Sequence, residues 1–151
     1  MEEYKLENIK KIIKDFFEKI GFQVDSNILI KDDTVICKIE YSDPSILIGK
    51  NGQTLFNIQH LISRIIKKNI KNEIFFDLDI NDYKENKVQY LKELAQQIAD
   101  EVALTKQGKV LPNLSAYERR IIHLELVNRD DVIAESSGEG PERKLIIKPT
   151  P

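Results

Sequence analysis

The sequence predicts an α+β protein of two small domains, and three observations carry that expectation. Apolar residues recur at spacings of three and four in several long segments, separated by short runs rich in β-branched residues. A G-x-x-G loop, Gly49-Lys50-Asn51-Gly52, lies between a short apolar run and an amphipathic segment. Asn81-Asp82 then closes a first set of elements, and a long helical pattern begins a second.

The first helix is expected on Leu6, Ile9, Ile13, Phe16, Phe17 and Ile20, with Gly21 as its stop. Two strands follow, Asn27 to Lys31 and Thr34 to Tyr41, joined through Asp32-Asp33, a pair compatible with a tight hairpin turn. In the second strand Val35, Cys37 and Ile39 alternate with Ile36, Lys38 and Glu40, so one face is the more polar. Asp43-Pro44 breaks it, because proline disfavours continued pairing and restricts the residue before it. Residues 45–48 read as one apolar turn entering the glycine loop. The next helix runs from Gln53 to about Lys68, with Leu55, Ile58, Ile62 and Ile65 on one stripe and Gln53, Asn57, His60, Arg64 and Lys67 on the other. Ile74 to Ile80 reads as a third strand.

The second half opens with a candidate capping box, Asp82 with Glu85, and a helix on Val88, Leu91, Ala95, Ile98 and Val102 that Gly108 is placed to end. A short run, Val110 to Leu114, leads to a second box, Ser115 with Glu118. The helix from Ala116 to about Asn128 carries Tyr117, Ile121 and Leu124 on one side, with Ile122 and Leu126 as a second apolar edge. A hairpin closes the chain, Val132 to Ser136 and Lys144 to Lys148, turning through Ser137-Gly138-Glu139-Gly140-Pro141. The expected domains are 1–82 and 83–151, the second including its long leading helix.

Composition limits the function. The chain has 151 residues, 23 basic against 25 acidic; residues 1–82 hold 12 and 14, and 83–151 hold 11 and 11. Any nucleic-acid contact must therefore come from local patches, with weak long-range steering. Cys37 is the only cysteine, which excludes an internal disulfide and a multi-cysteine metal site; its place in an apolar alternation reads as a small buried hydrophobe. No apolar stretch reaches membrane-spanning length and the start has no signal-peptide pattern, so a cytoplasmic location without membrane insertion is expected. Two histidines and scattered carboxylates offer no metal spacing and no phosphate-binding G-x-x-x-x-G-K-[ST]; Lys50 lies between the glycines, unlike a P-loop lysine. The expectation is a binding protein without enzymatic activity, cofactor or metal.

Gly49 and Gly52 would let the backbone turn tightly and let a phosphate approach without meeting a Cβ. The helix beginning at Gln53 would direct its free N–H groups and positive dipole end to the same place. Lys50 supplies a charge, Asn51 hydrogen-bonding capacity, and Ile46 and Ile48 an apolar wall for unstacked bases. Downstream, Arg119 and His123 are four apart on one helix face with Arg120 beside them, expected opposite Tyr117, Ile121 and Leu124 and hence toward solvent. A guanidinium and an imidazole there suit phosphate or base-stacking contacts, or alternatively an ion pair and a hydrogen-bond network within the fold. Arg143, Lys144 and Lys148 in the final hairpin are further candidates, whereas Arg64, Lys67, Lys68 and Lys71 read as a solvated helix end and His60 as a surface histidine.

Leu47-Ile48-Gly49-Lys50-Asn51-Gly52-Gln53-Thr54-Leu55 resembles the loop of a bacterial KH domain, and the helix–strand–strand–helix–helix–strand order is similar to the type II KH topology. Tyr117-Glu118-Arg119-Arg120-Ile121-Ile122-His123 resembles the signature of the R-3-H domain, and the closing hairpin is also similar. The two in this order resemble the Jag family of bacterial SpoIIIJ-associated RNA-binding proteins. Many members carry a further N-terminal domain and charged linker, which this sequence does not show. The resemblance implies single-stranded RNA binding, post-transcriptional regulation or RNA chaperoning linked to cell elongation and division, and pairing with a small stand-alone KH protein or with itself. A protein-interaction adaptor built on KH dimerisation, and a single-stranded DNA binder, are the competing expectations.

Overall fold

The computed structural model describes residues 2–151, and the chain divides into two compact units between Lys84 and Glu85. In the first, α1 (Glu2–Lys19) buries Ile9, Ile13 and Phe17. Gly21, at φ 91°, ends it as expected, with the Gly21 and Phe22 amides donating back to Glu18 and Phe17. Ile20 lies past the helix and is exposed. Strands β1 (Asp25–Lys31) and β2 (Thr34–Glu40) form an antiparallel hairpin in which Lys31 faces Thr34. Asp32 and Asp33 both take positive φ, the two-residue turn whose twist matches the strands.

Strand β3 (Phe75–Ile80) pairs in parallel with β2, giving the sheet order β1-β2-β3. Parallel neighbours require a crossover. It is made by α2 (Ser45–Ile48), the turn Lys50–Gly52 and α3 (Gln53–Asn69), so the glycine loop sits inside that crossover. One sheet face, Val35, Cys37, Ile39, Phe76, Leu78 and Ile80, is buried in a single core with α1 and α3. The other carries the exposed Lys38, Phe75 and Asp77. The buried residues of α3 are Leu55, Ile58, Ile62 and Ile66; Ile65 is displaced to the rim, because 3.6 residues per turn favours the 58-62-66 row over 65 once α1 and the sheet flank the helix. Past β3 the Asn81 amide side chain accepts from the Tyr41 N–H and donates to the Tyr41 carbonyl, both at 2.9 Å, as an extra rung of the β2–β3 ladder.

Helix α4 (Tyr83–Thr105) leads into the second unit. The Asp82–Glu85 box does not form. Asp82 is left-handed (φ 56°), and the Lys84 amide is taken instead by the Asp79 carboxylate at 3.1 Å. Gly108 does not end α4 either; Lys106 takes the left-handed position (φ 60°), its amide donating to the Val102 carbonyl. Strand β4 (Lys109–Leu111) is shorter than expected, and with β5 (Val132–Ser137) and β6 (Lys144–Pro149) it makes an antiparallel sheet of order β4-β6-β5. Leu91, Ala95, Ile98, Ala99 and Val102 of α4 share a core with Ile121, Ile122 and Leu126 of α5 (Ala116–Leu126) and with Val132, Leu145 and Ile147. Arg129 fastens this unit, donating to both oxygens of Asp131 (2.9 and 2.7 Å), to Asp100 (2.8 Å) and to Gln96 (2.9 Å). Hydrogen bonding from that guanidinium holds the Asp131 carboxyl below its ordinary value.

Candidate nucleic-acid interface

Pro44 opens α2, and Ile48 and Gly49 donate back to Pro44 and Ser45. That single turn plugs Leu47 into the core and leaves Ile46 61% exposed, with Ile48 half-buried against the core. Gly49 follows at φ 72°, ψ −178°, a conformation reserved for glycine. Asn51 (φ 54°) and Gly52 (φ 77°) then reverse the chain into α3.

The glycines are required by what lies inside the fold. A Cβ on Gly49 would come within 2.8 Å of the Thr54 Cβ and 3.0 Å of its nitrogen, and one on Gly52 within 2.8 Å of the Tyr83 ring. The missing Cβ atoms thus face Thr54 and Tyr83, which corrects the expectation that they clear room for an incoming phosphate. The outward side is carried by Lys50 and Asn51, both exposed and, among the described residues, without a hydrogen-bond or ion-pair partner. No side chain caps α3 and no acidic residue occupies its first turn, leaving the first amides and the positive dipole end uncompensated by side chains. Phe56, 45% exposed in that first turn, fell on neither apolar nor polar stripe and escaped the sequence analysis. The Lys84 ammonium lies 5.4 Å from its ring centroid while bonding Gln59 and Asp77.

On α5 the Ser115–Glu118 box forms with both bonds, 3.1 and 2.8 Å, and Lys87 lies 3.5 Å from the Glu118 carboxylate. The expected facing of this helix is only half right. Ile121, Ile122 and Leu126 are buried, but Tyr117 and Leu124 are 62% and 63% exposed. Packing on α4 and the sheet selects the 118-122-126 side, which turns Tyr117, Arg120 and Leu124 outward together. Arg120 is exposed and unpartnered among the described residues. Arg119 is half-buried, and its guanidinium donates to the Leu114 carbonyl at 2.6 Å, fastening the approach to α5. His123 is half-buried beside this face.

Arg143 and Lys144 are exposed where the closing loop enters β6; the Arg143 guanidinium makes one long contact, 3.5 Å, with the Gly138 carbonyl. Lys148 is paired with Glu135 at 2.8 Å across the hairpin. No bond joins Arg143 or Lys144 to Arg119, Arg120 or His123 among the described residues. Nor does any cluster of three metal-ligating side chains occur there, and no described helix is long and apolar enough to cross a membrane.

The R-3-H domain family matches residues 89–149, the stretch containing α5 and the closing sheet. The chain is 34% identical to RNA-binding protein KhpB of Clostridium symbiosum over 147 residues, 97% of this chain and 65% of that one. It is 28% identical to the proteins of the same name from Lactiplantibacillus plantarum, over 86% of this chain and 40% of that one, and Bacillus subtilis, over 94% and 69%. Over residues 89–149 the chain is thus similar to R-3-H domains, and over nearly its whole length to these RNA-binding proteins. It spans 65% and 40% of the first two of these relatives.

Proposed function

We propose that this chain belongs to the Jag family and binds single-stranded RNA at two places. The observation that carries the reading is the Gly49–Gly52 turn: exposed, unpartnered Lys50 and Asn51 stand before a helix of 17 residues with no side-chain cap and no acid in its first turn. Fixed amides and a dipole end of this kind bind phosphate by geometry, as a near-neutral chain requires. The relatives' name, RNA-binding protein, and the R-3-H match support RNA as the ligand. The first unit is read as a type II KH domain over 1–82, in which Gly49, Lys50, Asn51 and Gly52 hold about four nucleotides by their backbone, with Ile46 and Ile48 beside the bases. The second, 83–151, is read as an R-3-H domain presenting Arg120 and His123, with Arg143 and Lys144 as outlying phosphate contacts and Arg119 as the anchor of the surface. Tyr117, exposed beside Arg120, adds a stacking ring.

Each site neutralises few phosphates and binds weakly alone; their linkage on one chain raises the effective concentration of the second. The family resemblance extends this reading to post-transcriptional regulation or RNA chaperoning linked to cell elongation and division. Titration against labelled RNA and DNA oligonucleotides at two salt concentrations tests it. Lys50→Asp with Asn51→Asp is expected to weaken RNA binding by about tenfold or more. Unchanged affinity would remove the loop from the interface, and equal affinity for DNA would remove the preference for RNA.

A further inference from the structure

Acids run through this chain at about one residue in six, 25 in 151, yet none occurs between Asp43 and Glu73. Lys50, Arg64, Lys67, Lys68 and Lys71 fall inside that gap, which covers the glycine turn, all of α3 and the loop after it. The other long helices carry acids that are paired: Glu7 and Glu18 with lysines of α1, Glu101 of α4 with Lys109, and Glu118 of α5 with Lys87. The side chains of Arg64, Lys67, Lys68 and Lys71 have no ion-pair or hydrogen-bond partner among the described residues. The helix dipole accounts for Lys67 and Lys68 in the last turn of α3. It does not account for Arg64 further up, nor for a first turn without acids.

The gap is also ordered in space. At about 100° per residue, Gln53, Asn57, His60, Arg64 and Lys67 fall within about 80° of arc, opposite the buried row Leu55, Ile58, Ile62 and Ile66. All five are exposed. The row begins one residue past Gly52 with amides, Gln53 donating to Asn57 at 3.1 Å, and turns basic as it runs about 21 Å along the helix. Phe56 and Leu61, both exposed, flank it on either side. Past the helix, Lys67 and Lys71 line a groove with the Phe75 ring, 64% exposed, and Glu73 is the only acid lining it. In the orientation that satisfies both its atoms, the Asn72 side-chain amide donates to the Lys71 carbonyl and accepts from the Lys5 ammonium at 2.6 Å, which brings a further cation to this end.

We propose that the outer row of α3 is a track for single-stranded RNA, leading the strand from the Gly49–Gly52 turn to the groove of Lys67, Lys71 and Phe75. The inference rests on the RNA reading of that turn. At one contact per turn over about four turns of helix, it lengthens the footprint of the first unit from about four nucleotides to about eight. RNA is the occupant because the row continues from the turn, spreads its cations along the helix, and sets the exposed rings of Phe56 and Phe75 beside them for bases. An acidic protein surface would use the charges but has no need of the rings. The attraction that a net charge of −2 withholds from the whole chain is thus concentrated along one helix.

Fluorescence anisotropy of the full chain with labelled oligouridines of about four and about ten nucleotides tests this. Arg64→Gln, Lys67→Gln and Lys71→Gln together are expected to weaken the longer strand about tenfold or more and to make its salt slope shallower by about two. The same variant is expected to hold the shorter strand within about threefold of wild type. An equal loss of charge on α1, Lys11→Gln with Lys14→Gln and Lys19→Gln, is expected to leave both strands within about threefold. All six positions are exposed, and circular dichroism checks that each variant keeps its fold. Lys50→Asp with Asn51→Asp, expected to weaken both strands, keeps the two readings apart. No effect from it would overturn the reading of the turn and the origin of the track with it. An α3 variant that binds the longer strand like wild type would overturn the track alone and leave the row to an acidic protein surface. A shorter strand weakened as much as the longer, or an α1 variant as weak as the α3 one, would also overturn the track, since bulk charge would then explain the loss.

Discussion

The Arg119 guanidinium lies 2.6 Å from the Leu114 carbonyl, while Arg120, one residue on, is exposed and has no hydrogen-bond or ion-pair partner among the described residues. Their alanine variants should therefore fail in different ways. Arg119→Ala removes a charged donor and leaves a half-buried carbonyl unpaired, a change worth about 1.5–3 kcal/mol. Arg119 is itself only partly buried, so the lower end applies. At roughly 4–8 °C per kcal/mol for a unit of this size, about 1.5 kcal/mol lowers Tm by about 6–12 °C. Arg120→Ala should change stability by less than about 0.5 kcal/mol. Its loss should instead appear in RNA titrations, as an affinity lower by about fivefold and a salt slope shallower by about one contact. Thermal melting by circular dichroism and titration at two salt concentrations read the two effects separately. An Arg119→Ala variant that melts within about 2 °C of wild type yet loses RNA binding would refute this division of roles.

Other variants follow from single contacts. Ile122→Ala, at a fully buried position, is expected to cost about 2–5 kcal/mol, and Leu124→Ala, at an exposed one, less than about 0.5 kcal/mol by denaturant unfolding. Gly49→Ala combines a glycine-only conformation with a collision against the Thr54 hydroxyl, Cβ and backbone nitrogen, so a loss of about 2–4 kcal/mol is expected; Thr54→Ala removes the hydroxyl contact alone and relieves it only in part. Gly52→Ala meets only the Tyr83 ring edge, and a double-mutant cycle with Tyr83→Ala should return a coupling of about 1 kcal/mol. Burial pushes the Cys37 thiol up to about 12. A thiol reagent at mild alkaline pH should label it only on unfolding. Because the unfolded thiol ionises first, stability should fall as pH rises from the ordinary thiol range toward 12, and Cys37→Ala should remove that part of the decline.

The elements that could be read from the sequence are those whose causes are local. The Val35-Cys37-Ile39 alternation, the Asp32-Asp33 turn, the Gly21 stop and the Ser115–Glu118 cap each need only a few adjacent residues, and each stands as expected. Where the reading failed, a distant residue chose between local options of similar quality. Asp79, not Asp82, takes the amide at the start of α4, because Asn81 and Asp82 are both left-handed and point the chain back past β3. Helix α5 has two usable apolar stripes, and only α4 and the β4-β6-β5 sheet decide that the one containing Ile122 and Leu126 is buried.

The same distinction changes what the G-x-x-G pattern means. Gly49 is demanded by Thr54, five residues away, but Gly52 is demanded by Tyr83, more than thirty residues on, and both demands come from within the fold. A chain needing only this helix-to-helix turn would select both glycines, so their presence cannot separate a phosphate clamp from a tight connection. What separates them is the content of the outward side. A mere connection has no reason to leave Lys50 and Asn51 unpartnered before a first turn free of acids, since an acid there would stabilise α3 by about 0.3–1 kcal/mol. That omitted stabilisation is measurable. If Gln53→Glu raises stability while weakening RNA binding, the bare helix end is kept for an anion; if stability rises and binding holds, the loop is a connection alone.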